Sequence, residues 1–396
     1  ADEGNQIARM SIQGLERIAF HLKTPGVSYG KEDVVDASEE TGEPYHIYNI
    51  SDRKQINQGI MQYTLHFASR EFMRNIRTKV SQAYDGKHDR AVIDIMKDKD
   101  YLDSRKKLHY EPTGNANKIV VPNLSPFEAI NMIAKKSVAD KSKGVGYYFY
   151  ETTGGYYFRS WQSMITNQGE FARPPRQQFY YQPLKMSSDG NATKQDKIER
   201  EFESVEEYEF VTNFHDVASN TILGTYGHRV ISHDLFNKSY DIADYNFHNE
   251  YRRTPHTDTV KDAKNKFPIS NTPVDYDNRD NVSNYAESRV SLQTTAPFLH
   301  DKDVGKYGLE PLQDGLKTGQ AVSQSNQVAH GTALLLTVKG QSYLQAGDLI
   351  TFNLADVNSA NTENPNDPRF SGNYIITKIR HHVTKDQYRM ILECAK

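Results

Sequence analysis

Four short runs near the end of the chain decide the fold: Ala333-Leu-Leu-Leu-Thr-Val338, Leu349-Ile-Thr-Phe-Asn-Leu354, Tyr374-Ile-Ile-Thr-Lys-Ile-Arg380 and Tyr388-Arg-Met-Ile-Leu-Glu-Cys394. Each is rich in β-branched, aromatic or aliphatic residues, and Tyr388–Cys394 alternates apolar and polar positions, the period of a half-buried strand. Turn chemistry separates them: Gly340 after the first, Ala346-Gly347-Asp348 before the second, and a polar loop with two prolines over 355–370. Short strands with turns between them describe a small barrel or curled antiparallel sheet.

Working outward from this end, residues 202–211 read as a strand, and Asn213 to Leu223 as a helix closed by Gly224. Val230-Ile231 and Tyr240–Phe247 supply further strands. Residues 252–283 hold few apolar side chains and many Asn, Asp, Thr and Pro, which marks a long excursion. Residues 284–328 are mixed and carry no clear periodicity.

Toward the N-terminus, Ile18, Phe20 and Leu22 alternate as in a strand, and an acidic loop follows from Gly30 to Glu43. Strands are expected over Tyr45–Ser51 and Met61–Phe67, the second with Tyr63, Leu65 and Phe67 on one face. Ser69 can cap a helix on which Phe72, Ile76, Val80 and Tyr84 form one apolar stripe. Asp85-Gly86 breaks it, a second helix covers Ala91 to about Leu102, and 106–121 is extended. Ser125-Pro126-Phe127-Glu128 is a capping box with proline at the first helical position, opening a helix to about Val138. Tyr147-Tyr-Phe-Tyr150 and Tyr156-Tyr-Phe158 flank Gly154-Gly155 and read as a β-hairpin.

The 396 residues are too many for one ordinary domain. With 48 Lys and Arg against 51 Asp and Glu the formal charge is −3, so no excess of positive charge draws the chain to a polyanion or an anionic membrane. Mean hydropathy is −0.75. Long polar loops, or apolar surface buried only on assembly, would each produce that value. No run approaches the roughly 20 apolar residues of a membrane-spanning helix. The single cysteine, Cys394, excludes an internal disulfide and a cysteine zinc cluster. Twenty-five Tyr and 17 Phe beside one Trp favour strands and contact surfaces.

Catalytic signatures are missing. Gly26-Val-Ser-Tyr-Gly30-Lys31 is one residue short of a phosphate loop and lacks the following Ser or Thr. There is no His-Glu-x-x-His and no Gly-x-Ser-x-Gly elbow. Gly144-Val-Gly146 lacks a third glycine and leads into a strand. Asp275-x-Asp277 opens like a calcium loop, but Arg279 and Ala286 stand where oxygen ligands are needed.

Other constellations have a bland reading that is the commoner one. His381-His382 could join His21 or His330 around a metal, yet neighbours on a strand face opposite ways. His228 and His233, with Asp234, lack a nucleophile nearby. Glu199, Glu201, Glu203, Glu206, Glu207 and Glu209 offer the paired carboxylates of a glycosidase, but a solvated acidic face explains them more simply. Arg70, Arg74 and Arg77 could meet phosphate, or form the charged outer face of their helix. Asn191-Ala-Thr193 fits a glycosylation acceptor with nothing arguing for secretion. The aromatic hairpin 147–158 could stack bases or sugars, but core and interface are its ordinary uses. Cys394 reads as a small packed hydrophobe. No catalytic, cofactor-binding or metal-binding residue is assigned, no cofactor is expected, and a chain of this length without a site leans toward assembly.

In their order, several segments resemble the central baseplate hub proteins of contractile-tailed bacteriophages. These are Leu15-Glu-Arg-Ile-Ala-Phe-His-Leu-Lys-Thr-Pro-Gly26, Tyr45-His-Ile-Tyr-Asn-Ile-Ser-Asp52, Tyr63-Thr-Leu-His-Phe67, Val80-Ser-Gln-Ala-Tyr-Asp-Gly86 and Val120-Val-Pro-Asn-Leu-Ser-Pro-Phe127. The last is Ser371-Gly-Asn-Tyr-Ile-Ile-Thr-Lys-Ile-Arg-His-His382, with the Gly347-Asp348 turn upstream. They span nearly the whole chain, and residues 252–330 carry least of it.

The resemblance implies a β-rich α+β, multidomain chain with two small β-barrel-like tube domains, a small α/β domain and an insertion. The expected divisions are 1–121 for the first tube domain, with a helical insertion over 69–105, and 122–196 for the α/β domain. The second tube domain takes 197–251 and 320–396, interrupted by a polar insertion, 252–319. The family's first tube domain begins with strands before the segment opening this chain, so that barrel is expected to be incomplete at its N-terminal side. Function, by the same resemblance, is structural and not enzymatic: a homotrimeric ring with two tube domains per chain, adapting a threefold spike to a sixfold tail tube around a channel. Implied partners are the central spike protein, tail-tube or tube-initiator proteins, the tape-measure protein and the surrounding baseplate wedge proteins. DNA passes through without specific binding, no membrane is involved, and the location is the virion baseplate, assembled in the host cytoplasm. The scaffold also resembles the N-terminal part of type VI secretion spike proteins, but no long β-helix repeat follows the second tube domain. The reading from another class is a carbohydrate-active enzyme or lectin, for which loss of glycan cleavage without loss of assembly on mutating Glu206 and Glu207 would speak.

Overall fold

A computed structural model describes residues 2–3, 12–24, 34–38, 43–57, 60–114, 116–166, 174–181, 200–211, 216–234, 238–251, 253–257, 269–295, 315–355, 366–367 and 370–396. The Gly26–Lys31 segment, most of the Gly30–Glu43 loop, Asn191-Ala-Thr193 and Glu199 lie outside the described residues. So does much of 252–319.

The chain is β-rich and multidomain, with helices set between separate sheets. In the N-terminal sheet, β1 (Asp2–Glu3), β6 (Ile60–Ala68), β5 (Tyr45–Asn57) and β2 (Arg17–Ile18) lie side by side in that order. A two-stranded pair, β3 (His21–Leu22) with β4 (Val35–Asp36), stands beside it. Phe20, Tyr45 and Phe67 meet in a triangle with ring centroids 5.6 Å apart.

Helix α1 (Arg70–Arg77) is capped by Ser69, as its sequence foretells. The apolar stripe expected from Phe72 to Tyr84 does not form. The helix stops at Thr78, whose hydroxyl binds the Arg74 carbonyl at 2.8 Å, and Val80 to Lys87 is a strand, β7. β7 pairs with β9 (Ala116–Leu124), which buries Val80 and Tyr84 in a sheet core. Phe72 and Ile76 are exposed, and the buried helix position is Glu71. The reason is tertiary: Lys106 lies 3.1 Å from Glu71, and Ser104 donates to its other oxygen at 2.6 Å.

Helix α2 (His88–Lys97) begins earlier and ends sooner than the expected Ala91–Leu102 span, although Leu102 is fully buried in the loop beyond it. The capping box forms as read: Glu128 accepts from the Ser125 amide at 3.0 Å and opens α3 (Pro126–Lys136). α2 and α3 pack on β7, on β9 and on the aromatic hairpin β10 (Tyr147–Thr152) and β11 (Gly155–Ser160). A third strand, β8 (Leu108–Tyr110), runs parallel to β11. The short helix α4 (Trp161–Ile165) follows.

The C-terminal runs fold as expected into β17 (Ala333–Lys339), β18 (Leu349–Leu354), β19 (Gly372–Val383) and β20 (Tyr388–Ala395). Two earlier strands extend the sheet: β12 (Gln177–Tyr181) pairs parallel to β18, and β13 (Val205–Phe210) antiparallel to β17. The order β12-β18-β19-β20-β17-β13 bends until its edges meet, through a bridge between Tyr180 and Ser204 and a 4.5 Å contact of the Tyr181 and Tyr208 rings. The result is a nearly closed barrel filled by Leu334, Leu336, Val338, Phe352, Tyr374, Met390 and Leu392. Fully burying one such aliphatic side chain contributes about 1.5–3 kcal/mol.

Between β13 and β17 the chain makes another unit. Helix α5 (Val217–Ile222) starts at the Asp216 cap, later than expected, and closes at Gly224, whose φ of 78° suits glycine. β14 (Gly227–Asp234) then pairs with β15 (Ser239–Asn246), which runs into the short helix α6 (Phe247–Tyr251). The unassigned 284–328 region supplies β16 (Val290–Thr295), parallel to β14, and helix α7 (Gly315–His330), which lies against β14 and β15.

Candidate assembly surface

Two hairpins leave strand edges uncovered, and one of them reaches out of its sheet. β5 and β6 pair from His46–Ala68 to Asn57–Ile60, but β2 covers β5 only at Tyr45 and His46. From Asn49 to Asn57 the outer edge of β5 has no strand partner among the described residues. Likewise β1 covers β6 only at Ile60 and Met61. Asp52 through Asn57 are exposed on both faces, so about 20 Å of strand stands in solvent. The pairing shifts register at three places along β5, and Asp52 has φ 55°. Bulges of this kind twist an edge away from indiscriminate pairing.

The β19–β20 hairpin shares the open edge but is not free-standing, since β17 covers β20 from Arg389 to Ala395. β18 pairs with β19 only across Gly372–Ile375, and the Gly347 and Asp348 backbone bonds to Ile376 end the contact. From Thr377 to Val383 that edge has no strand partner among the described residues, while the other edge is paired to β20 throughout. A register shift at Thr377 marks a bulge. Lys378, Arg380, His382 and Val383 are exposed.

A third open surface is the sheet β15-β14-β16. Ile231 pairs with Ile242 on one side and Leu292 on the other, making an apolar row across the face away from α7. Leu292 is 67% exposed and Tyr240 70%. At one end of the face Arg229 binds Asp244 at 2.8 Å and Glu287 at 2.5 Å, which holds the Asp244 carboxyl below its ordinary range.

The sequence-level site candidates are dispersed. His381 binds the Tyr388 hydroxyl at 2.9 Å, and burial lowers its pKa. His21 is on β3, in another sheet, and the His330 side chain is outside the description. Among the described residues no group of three His, Cys, Asp or Glu side chains could hold a metal ion. His228 and His233 both lie on β14, and an odd spacing puts them on opposite faces; His228 meets the Ser291 hydroxyl at 2.8 Å.

Glu206 pairs with Arg389 and Glu201 with Lys339, while Glu207 and Glu209 are exposed on the barrel's edge strand. Arg70 and Arg74 turn onto the loop after α2 instead of forming an outer charged face, while Arg77 is exposed. Arg70 grips the Asp103 carboxylate at 2.7 Å, and Arg74 donates to the Tyr101 carbonyl at 2.8 Å, fastening the loop after α2. Asp275 accepts the Arg279 and Asp280 amides at 2.9 Å, a turn closed by its own backbone. In the aromatic hairpin Phe149 stacks on Tyr156 and Tyr150 on Tyr157, both at 5.3 Å, and these rings pack into the core. Cys394 is fully buried, and burial pushes its thiol far above the ordinary range. The open strand edges escaped sequence reasoning, because an edge is defined by what fails to pair with it. The one local signal was charge, Arg53-Lys54 and Lys378-x-Arg380, in otherwise strand-like runs.

No protein-family model matches the chain, and no curated protein sequence matches it. Solved structures do. The tail protein from Neisseria meningitidis MC58 is similar with 10% identity and a TM-score of 0.46, over 89% of this chain and 79% of that one. The 43 kDa tail protein of prophage MuSo2 from Shewanella oneidensis is similar with 9% identity and a TM-score of 0.46, over 96% and 88%. The E. coli c3393 protein is described as a component of the type VI secretion system structurally similar to the T4 bacteriophage tail proteins gp27 and gp5. It is similar with 8% identity and a TM-score of 0.39, over 96% and 68%.

Proposed function

We propose that this chain is the structural hub subunit of a contractile phage tail baseplate, acting as a homotrimeric ring without enzymatic activity. The observation that carries the reading is the pair of arms. One chain bears two long, bulged hairpins, at 45–68 and 372–395, each with an edge that no described strand covers; the distal half of the first stands in solvent, while β17 backs the second from Arg389 to Ala395. An isolated two-stranded hairpin is marginally stable in water, so the first arm calls for a neighbour, and the uncovered β19 edge of the second offers one a place to pair. Two arms per chain give six around a ring of three, the count that joins threefold to sixfold symmetry. Pairing edges between copies also answers the hazard that an open strand poses.

The ordered hub-like segments are consistent with this placement: Tyr45–Asp52 and Tyr63–Phe67 lie in the first arm and Ser371–His382 in the second. The ring would carry the spike on one side and template the tail tube on the other, in the virion. Tape-measure protein and DNA would pass through the channel, and wedge proteins would surround it. A formal charge of −3 suits a conduit that must release DNA.

The test is the mass of the purified protein by light scattering behind a sizing column. Three times the 45.2 kDa chain is the expected value. A single-chain mass at every concentration, with no ring formed on adding the spike subunit, overturns the reading.

A further inference from the structure

We propose that Ile56, at the tip of the first arm, inserts into an apolar cavity beside Thr377 on a neighbouring copy of this chain and anchors the ring contact. This rests on the ring reading above and names the residues at which one copy grips the next.

The cavity measures about 240 Å³ and lies at the seam between the aromatic hairpin and the barrel. Tyr148, Trp161, Met164, Val328 and Ile375 line it. Gly347 and Thr377 line it as well, and they sit where β18 stops covering β19. Gly347 has φ +88°, and a Cβ there would collide with the Tyr150 hydroxyl. A side chain larger than hydrogen would therefore crowd the wall. An apolar hollow at the beginning of an open strand edge is placed to receive a side chain from a strand added to that edge.

This chain carries a fitting donor. Within the exposed stretch Asp52-Arg-Lys-Gln-Ile-Asn57, Ile56 is the one apolar residue, and it is 53% exposed. The β5–β6 register shifts between Gln55 and Asn57, so Ile56 is the bulged residue without a cross-strand partner. Bulges re-aim a side chain, and here the re-aimed side chain is aliphatic. The β5 edge from Asn49 to Asn57, which no described strand covers, is long enough to lie along the β19 edge from Thr377 to Val383, which no described strand covers either. Anchors of this form, one apolar side chain filling a desolvated pocket, dominate interface energetics.

The experiment is cysteine cross-linking of the full chain. The double variant I56C/T377C is oxidised with copper phenanthroline and run on a non-reducing gel beside each single variant. Cys394 is fully buried and contributes no competing thiol. The expected result is a ladder ending at three chains for the double variant and single chains for I56C and T377C alone. A native trimer by light scattering whose double variant stays unlinked, or links through I56C alone, overturns this contact and leaves the ring intact. A native protein of single-chain mass at all concentrations, even with the spike subunit, overturns both. As a second reading, Ile56→Asp raises the trimer dissociation constant at least tenfold with unchanged circular dichroism, and Ile56→Leu leaves it near the native value. Equal behaviour of the two variants contradicts the anchor.

Discussion

Thr24 and Ser342, 318 residues apart, are joined by reciprocal hydrogen bonds: the Thr24 amide donates to the Ser342 hydroxyl at 3.1 Å, and the Ser342 amide to the Thr24 hydroxyl at 2.8 Å. Both residues are buried. The clasp ties the segment leaving the N-terminal sheet to the turn after β17, and so fixes one arm's base relative to the barrel that bears the other.

Ser342→Ala removes one acceptor and strands the Thr24 amide inside the protein. A loss of about 1–3 kcal/mol is expected, read as a lower urea midpoint at unchanged slope. A midpoint within error of the native one contradicts the clasp.

Glu71, Lys106 and Glu151 form a second fastening, with Lys106 at 3.1 Å from Glu71 and 2.6 Å from Glu151. Burial alone would lower the Lys106 pKa, but the charges of Glu151 and Glu71 outweigh it and raise it to about 12. A base raised in the folded state stabilises fully below its unfolded pKa, near 10.4, and loses that contribution as pH climbs through about 12. Lys106→Met leaves two carboxylates facing each other, one fully buried, and should cost about 3–5 kcal/mol. Denaturant melts at pH 8 measure it; a loss under 1 kcal/mol would mean the carboxylates find other partners.

How much of this was legible beforehand differs by element. Ser125-Pro126-Phe127-Glu128 and the Gly154-Gly155 turn are local chemistry, and both fold as their residues dictate. The four C-terminal strands are legible for the same reason. The stripe from Phe72 to Tyr84 fails because i+4 spacing is shared by a helix face and by alternate positions of a strand, and only β9, across the sheet, decides between them. Glu71 turns inward because Lys106, 35 residues away, neutralises it. β12 joins the barrel through β18, about 170 residues on, a pairing no local pattern can announce. The arms themselves were visible as strands; their open edges were not.

Gly155 has φ +120°, and a Cβ there would strike the Lys107 carbonyl, whereas Gly154 has no such φ and meets only side-chain atoms at 3.1 Å and beyond. Gly155→Ala is therefore expected to cost about 1–3 kcal/mol and loosen the β8–β11 pairing, with Gly154→Ala much milder. Thermal melts of the two variants check the order, and equal losses would refute it.

His228 is fully buried, and burial first, then the charge of Arg289, lowers its pKa below the ordinary 6.5. Its Nε2 faces Ser291, and burial lowers His248 as well. A base depressed in the folded state contributes its full share above the unfolded pKa and loses it as pH falls from 6.5 through the folded value. Stability of the β14–β16 unit should decline on acidification from pH 7 to 5, and His228→Gln should flatten the decline. Parallel pH profiles of native and variant proteins would contradict this.

The most direct test of the account is amide hydrogen exchange on the assembled protein, read at the two arm edges. Asn49–Asn57 and Thr377–Val383 have no strand partner among the described residues, and in a lone subunit their outward amides are expected to exchange at loop-like rates. If the edges pair between copies, both stretches exchange slowly in the trimer and quickly after dilution to single chains. Fast exchange at both edges in a protein of trimer mass would show that the ring, if it forms, is not held by the arms.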